Sequence, residues 1–190
     1  MTLGAKRIVD LRSQDEARIR ECAALLVEGF KEHWPEAWPT LESAYEEVNE
    51  SLGPNRTSRV ALDNSGSVAG WIGAIPAYHG RVWEVHPLVV RADCRRQGLG
   101  RALVHDLEQQ AGGQGVITLY VGTDDEDNLT SLGGVDLYPD VLSKLSSIGN
   151  LCAHPFEFYQ RCGFTLAGVM PDANGFGKPD IFLAKRISRP

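Results

Sequence analysis

The sequence predicts a mixed α/β (α+β) fold, in which an antiparallel meander of strands runs into a strand-turn-helix unit. Three observations carry this expectation. Residues 59–63 and 67–75 are two strand-like runs about the turn Asn64-Ser65-Gly66, and Pro76 ends the second arm. Residues 84–90 form a further strand, which gives way to the glycine-rich stretch Arg95-Arg96-Gln97-Gly98-Leu99-Gly100. The helix that begins there carries Leu99, Leu103, Leu107 and Ala111 at helical spacing, so one face packs on a sheet.

At 190 residues with 43% hydrophobic content, the chain fits one domain spanning residues 1–190 with a sizeable core. Its net charge of −6 argues against a nucleic-acid footprint, which needs a basic stripe, and favours a cationic partner. No apolar run approaches the ~20 residues of a membrane span and the first ten residues carry no secretory core, so a cytoplasmic location is expected. Cys22, Cys94, Cys152 and Cys162 lack a C-x-x-C pair, and the five histidines lack H-E-x-x-H, so neither a disulfide framework nor a metal is indicated.

The remaining elements follow in chain order. Residues 6–11 read as a first strand, and residues 14–30 as a helix with Ile19, Ala23, Leu26 and Phe30 as its stripe. Ser13 and Glu16 have the spacing of a capping box. Two prolines break the chain at residues 33–39, where Trp34 and Trp38 lie beside Glu36. Such a segment is either a loop pinned by its aromatics or a wall that offers flat apolar faces and a carboxylate to a cationic ligand. Residues 41–52 form an acidic helix through Glu42, Glu46, Glu47 and Glu50, a pattern read as a solvated face. Tyr78-His79-Gly80 turns the chain into the strand at residues 84–90.

In that strand Glu84, His86, Leu88 and Val90 share one face by the two-residue period, unless a bulge intervenes. After Gly112-Gly113-Gln114-Gly115 closes the helix, residues 116–121 are an unbroken apolar strand suited to a sheet interior. Asp124, Asp125, Glu126 and Asp127 follow at its carboxyl end. They are either a solvated turn or a strong field for a polycation. Residues 136–150 read as a helix striped by Leu137, Val141, Leu145 and Ile148. A short aromatic helix at residues 154–163 and strands at 164–170 and 178–187 complete the chain.

The glycine-rich turn has its own chemistry. Two glycines where a strand hands over to a helix let successive backbone N–H groups converge on a phosphate without Cβ interference. Neither G-x-G-x-x-G nor a P-loop is present. The pattern Arg/Gln-x-x-Gly-x-Gly, with Tyr159-x-x-x-Gly163-Phe164 later in the chain, resembles the acetyl-CoA loop and second signature of the GCN5-related N-acetyltransferase (GNAT) superfamily. Longer runs narrow the likeness: WEVHPLVV at 83–90, GTDD at 122–125, DLY at 136–138, NL at 150–151, the stretch 154–164, and 171–181. Together they resemble the aminoglycoside 6'-N-acetyltransferases, especially the chromosomal enterococcal branch. The segment Leu132-Gly133-Gly134 and the amino-terminal third depart from that pattern.

The resemblance implies a mixed central sheet flanked by helices, with a splayed strand pair that binds acetyl-CoA. It implies transfer of acetyl to the 6'-amine of an aminoglycoside by direct attack in a ternary complex, antibiotic resistance as the outcome, and a homodimer. Glu84 is then the base, directly or through water, and His86 a holder of that water. The backbone N–H of Leu88 is the oxyanion donor, and Tyr159 the donor to the departing thiolate. The implied cofactor contacts are Leu88, Val89, Val90, Arg95, Arg96, Gln97, Gly98, Leu99, Gly100, Arg101, Asn150 and Tyr159. Substrate contacts fall to Trp34, Glu36, Tyr78, Glu84, Asp124 and Asp125, with no metal. The residues alone leave open another cationic amine, such as a polyamine or a peptide or protein lysine, and a non-catalytic acyl-CoA sensor.

Overall fold

The computed structural model describes residues 7–188; Lys6, the expected start of the first strand, lies outside the described residues. Contacts divide the chain into two compact units, Met1–Ile117 and Thr118–Pro190.

The first unit holds four strands, β1 (Arg7–Asp10), β2 (Thr57–Leu62), β3 (Val68–Ala77) and β4 (Val82–Val90), each antiparallel to the next. Pro76 sits inside β3, opposite Trp83, rather than ending the arm. The helices are α1 (Glu16–Phe30), α2 (Leu41–Glu50) and α3 (Leu99–Gly113). Ile19, Leu26, Ala44 and Val48 of α1 and α2 join Val60, Trp71 and Val89 of the sheet in one core. On α3, the striped residues Leu99, Leu103, Leu107 and Ala111 are all buried. Each leucine contributes about 1.5–3 kcal/mol by leaving water. Gly70 admits this helix, since a Cβ there would stand 3.0 Å from Leu103 Cδ1.

The helix starts use different caps from the one expected. Asp15, not Ser13, is the N-cap of α1, and its carboxylate pairs with Arg18 at 3.3 Å. Glu16 instead accepts from the Tyr45 hydroxyl at 3.0 Å, which ties α1 to α2. The capping box belongs to α2: Ser43 N–H donates to Thr40 Oγ1 at 3.1 Å, and Thr40 N–H donates to Ser43 Oγ at 3.3 Å. Buried Arg59 on β2 donates to both oxygens of Asp106 on α3, at 2.7 and 2.9 Å, and also pairs with Asp10 on β1.

The strand β4 departs from simple alternation. Leu88 stands opposite Ile72 and Val85 opposite Ala74, so Gly73 alone faces His86-Pro87. This bulge inserts one residue and inverts the phase of the strand. Paired residues share a face, so Glu84 lies on the side of Ile75, and Leu88 and Val90 lie on the other side with Ile72 and Gly70. The expected common face therefore ends at His86. Gly73 is required there because a Cβ would collide with the His86 carbonyl oxygen.

The second unit is a three-stranded antiparallel sheet, with β7 (Asp180–Arg186) between β5 (Thr118–Asp124) and β6 (Thr165–Met170). Strand β5 begins and ends later than expected and alternates in burial instead of being apolar throughout. The helix expected over residues 136–150 contracts to α4 (Val141–Ser146), because Pro139 interrupts the pattern. Leu137 is nevertheless fully buried in the preceding loop. The aromatic helix is α5 (Phe156–Arg161), which ends at left-handed Gly163. Among the described residues no helix is long and apolar enough to cross a membrane.

Candidate active site

In the first unit the bulge of β4 sends His86 toward the layer of α1 and α2. Its Nε2 lies 3.6 Å from Glu47 Oε1 on α2, and its ring centroid is 5.9 Å from that of Trp38. Trp38 stands edge-on to Phe30 at 4.7 Å. The result places the Glu47 carboxylate and the Trp38 indole about the His86 imidazole. The charges are coupled. The adjacent Glu47 carboxylate raises the His86 pKa above its ordinary value against the opposing effect of burial, with the charge of Glu84 adding to the rise. His86 lowers Glu47 in return.

Sequence reasoning placed Glu47 on a solvated face and did not assign Trp38 a contact of its own. The signal was the helical position of Glu47 beside buried Val48, but nothing in the chain's local pattern announces a partner 39 residues away. The substrate residues expected nearby are placed differently. Trp34 packs beside Phe30 at 5.7 Å, with its buried indole N–H lacking a hydrogen-bond partner among the described residues. Glu36 lies exposed on the same loop. Tyr78 is 75% exposed at the tip of the β3–β4 hairpin, in a left-handed backbone conformation with φ 48°.

The glycine-rich turn passes into α3 through two residues of left-handed conformation. Gly98 caps α3 at φ 80°, with open space where a Cβ would stand, and Arg96 precedes it at φ 57°. The Ala102 N–H is the donor that returns to the Gly98 carbonyl, at 3.0 Å. The N–H groups of Leu99, Gly100 and Arg101 thus belong to the first turn, ahead of the intrahelical ladder. Arg95 Nε donates to the Val90 carbonyl at 3.0 Å, and Gln97 Nε2 to the Asp93 carbonyl at 2.8 Å. These two side chains brace the loop, and the main chain offers the donors. Such a cradle fits the pyrophosphate of a coenzyme A ester. Cys94, beneath the turn, is buried, as is Cys22, whose thiol pKa is pushed up by burial.

In the second unit Tyr159 is buried on α5 between the rings of Phe158 at 5.0 Å and Phe164 at 5.6 Å. Burial pushes its phenol pKa well above the ordinary value, so it is a neutral donor at physiological pH. Asn150 is occupied at both ends: Nδ2 donates to the His154 carbonyl at 3.0 Å, and Oδ1 accepts from His154 N–H at 2.8 Å. The buried His154 ring meets the Asp124 carbonyl through Nε2 at 3.1 Å and accepts from Phe156 N–H at Nδ1, which fixes the Nε2–H tautomer. Asp124 accepts from Asn174.

Asp125 corrects the sequence reading. It is fully buried, and its carboxylate accepts from Leu129 N–H, Thr130 N–H and the Thr130 hydroxyl at 2.7–2.9 Å. Those bonds organise the loop that follows β5 and leave the carboxylate turned away from any arriving polycation. Among the described residues no group of three His, Cys, Asp or Glu side chains gathers as metal ligands would.

Residues 20–134 match the acetyltransferase (GNAT) family. The chain is similar to the crystal structure of an aminoglycoside 6'-N-acetyltransferase complexed with coenzyme A, at 39% identity and a TM-score of 0.87 over 97% of this chain and 99% of that one. It is similar at 39% identity and a TM-score of 0.86, with the same shares covered, to the aminoglycoside 6'-N-acetyltransferase from Enterococcus faecium. A type Ii aminoglycoside 6'-acetyltransferase follows at 34% identity and a TM-score of 0.73, again over 97% and 99%. No curated protein matches the chain.

Proposed function

The chain belongs to the GNAT acetyltransferase family, and from that premise we propose that it transfers acetyl from acetyl-CoA to the 6'-amine of aminoglycosides. The observation that carries this reading is the near full-length likeness, at 39% identity, to a 6'-N-acetyltransferase complexed with coenzyme A. Glu84 and His86, which would supply the acid–base chemistry, lie in the same unit as the Gly98 turn.

Acetyl-CoA supplies a thioester whose carbonyl carbon is the electrophile. The amine must first lose a proton, and Glu84 takes it, directly or through water held by His86. The amine nitrogen then forms a bond to the carbonyl carbon, the C–S bond breaks, and its electron pair leaves with sulfur. The Leu88 N–H stabilises the oxyanion that develops in between. Tyr159, held neutral by burial, donates a hydrogen bond to the departing thiolate. The transfer is direct, with no covalent acetyl-enzyme.

The main chain of Gly98, Leu99, Gly100 and Arg101 holds the pyrophosphate, with Arg95, Arg96 and Gln97 shaping the turn. Leu88, Val89 and Val90 meet the pantetheine arm, and Asn150 orders the loop before α5. Asp124, Glu84 and Glu36 meet the ammonium groups, with Trp34 and Tyr78 as apolar surfaces. We further propose that acetylation confers aminoglycoside resistance, that the reaction takes place in the cytoplasm, and that the single-domain enzyme acts as a homodimer.

Thiol release from acetyl-CoA tests the activity, with kanamycin A compared against paromomycin, which carries a hydroxyl at the 6' position. Turnover with the first alone is expected. Equal rates would indicate another amine as acceptor, and turnover with polyamines or peptides alone would overturn the aminoglycoside reading.

A further inference from the structure

The cluster around His86 contains a carboxylate for which the reaction above has no use. Glu47 Oε1 lies 3.6 Å from His86 Nε2, its side chain 19% exposed against 37% for His86, and the Trp38 ring stands 5.9 Å from the imidazole. The titratable and charged groups that act on His86 are Glu47 from α2, Glu84 from its own strand, and Arg56 from the segment before β2. A largely buried carboxylate beside one imidazole nitrogen favours the proton on that nitrogen.

We propose that Glu47 is a positioning residue for acetyl transfer: its carboxylate beside Nε2 keeps the proton on that nitrogen, so that the ring's Nδ1 lone pair accepts the amine proton from Glu84. The inference rests on the acetyltransferase reading of the chain. A neutral imidazole that donates through Nε2 has one acceptor nitrogen, Nδ1. The proton leaves the substrate ammonium for the Glu84 carboxylate through water, and passes to Nδ1. The imidazolium so formed faces the Glu47 carboxylate, which stabilises it, and the half-exposed ring returns the proton to solvent. Glu84 is then free for the next turnover. Carboxylate and imidazole thus act as a dyad, with the accepting group poised nearer neutrality than a lone carboxylate.

The test combines an NMR titration of the His86 ring with pH profiles of kcat/KM for kanamycin A, in the wild type, Glu47→Gln and Glu47→Asp. Glu47→Gln keeps the shape and an oxygen acceptor for Nε2–H and removes only the charge. The His86 pKa is expected to fall by about one unit. The acid limb of kcat/KM should move to lower pH by the same amount, because the acceptor stays deprotonated further down. The plateau in kcat should fall about threefold, since a weaker base transfers less readily, with KM little changed. Glu47→Asp should restore part of both shifts.

An acid limb unmoved in Glu47→Gln, with the wild type active, would overturn the positioning role and leave the acetyltransferase reading intact. So would a His86 titration that does not respond. A wild type that turns over no amine would overturn the acetyltransferase reading itself, and the proposal with it. Thermal melting of each variant separates these outcomes from loss of fold.

Discussion

Glu47 and His86 have pKa values displaced in opposite directions, and that makes their contact a pH-dependent source of stability. His86 is raised on folding, so its contribution is complete below the ordinary imidazole value of 6.5 and is lost as pH rises through the folded value. Glu47 is lowered, so its share is complete above the ordinary carboxylate value of 4.5 and is lost as pH falls through the folded value. The melting temperature of the wild type should exceed that of Glu47→Gln most between these two values, and the gap should close by about pH 9; a gap constant from pH 5 to 9 would show that the pair is not ionised as described. Tyr159 has a different sensitivity. The hydrogen bond proposed from it to the departing thiolate would be worth about 1.5–3 kcal/mol in a buried setting, so Tyr159→Phe should lower kcat about 10- to 100-fold. Unchanged kcat in that variant would remove the donor role, because the ring packing against Phe158 and Phe164 survives. Single residues of this kind were unevenly legible in the sequence. Glu84, His86 and Tyr159 lie in motifs, whereas Glu47 draws its meaning from a contact across 39 positions that periodicity does not encode.

Elements were legible where a local pattern and a tertiary requirement agree. The stripe of α3 and its glycine start are both set within a few residues, and both appear as read. The phase of β4 was not, because its bulge is imposed by the approach of Gly73 to the His86 carbonyl across the sheet. Gly73→Ala should therefore push β3 and β4 apart and cost about 1–3 kcal/mol, the range for overpacking a filled site. The loss should appear in denaturant midpoint and also in kcat, since the bulge aims His86 at Glu47; full activity in a destabilised variant would separate the bulge from the chemistry. Helix α4 and Asp125 are the opposite case. An apolar stripe over residues 136–150 reads as a helix, but Pro139 and the buried carboxylate of Asp125 commit the surrounding chain to a loop held by Leu129 and Thr130. Acidic residues in a turn look alike in sequence whether they are turned to solvent or to the backbone. Gly98 offers an element-scale test of the cradle. Alanine at φ 80° is strained by about 1 kcal/mol, and the tilt it forces on the first N–H groups of α3 should raise KM for acetyl-CoA with less effect on KM for the amine.

Charge acts over the whole molecule. The chain carries a net −6, and its proposed acceptor is a polycation, so encounter is attractive at long range before any contact forms. The Debye length falls from about 30 Å at 0.01 M salt to about 8 Å at 0.15 M. Over that interval the rate of capture should drop, because charges remote from the site cease to be felt. Chemistry within the bound complex should not, because the proposed groups at the reacting amine would act at short range, where screening is weak. Raising the salt should accordingly lower kcat/KM for kanamycin A several-fold while kcat stays within about twofold. The same titration with acetyl-CoA varied at saturating amine should show the reverse tendency: an anionic co-substrate approaching an acidic protein is helped, not hindered, by screening. Parallel losses for both substrates would mean that salt acts on stability rather than on encounter, which the melting temperature across the same series would reveal directly.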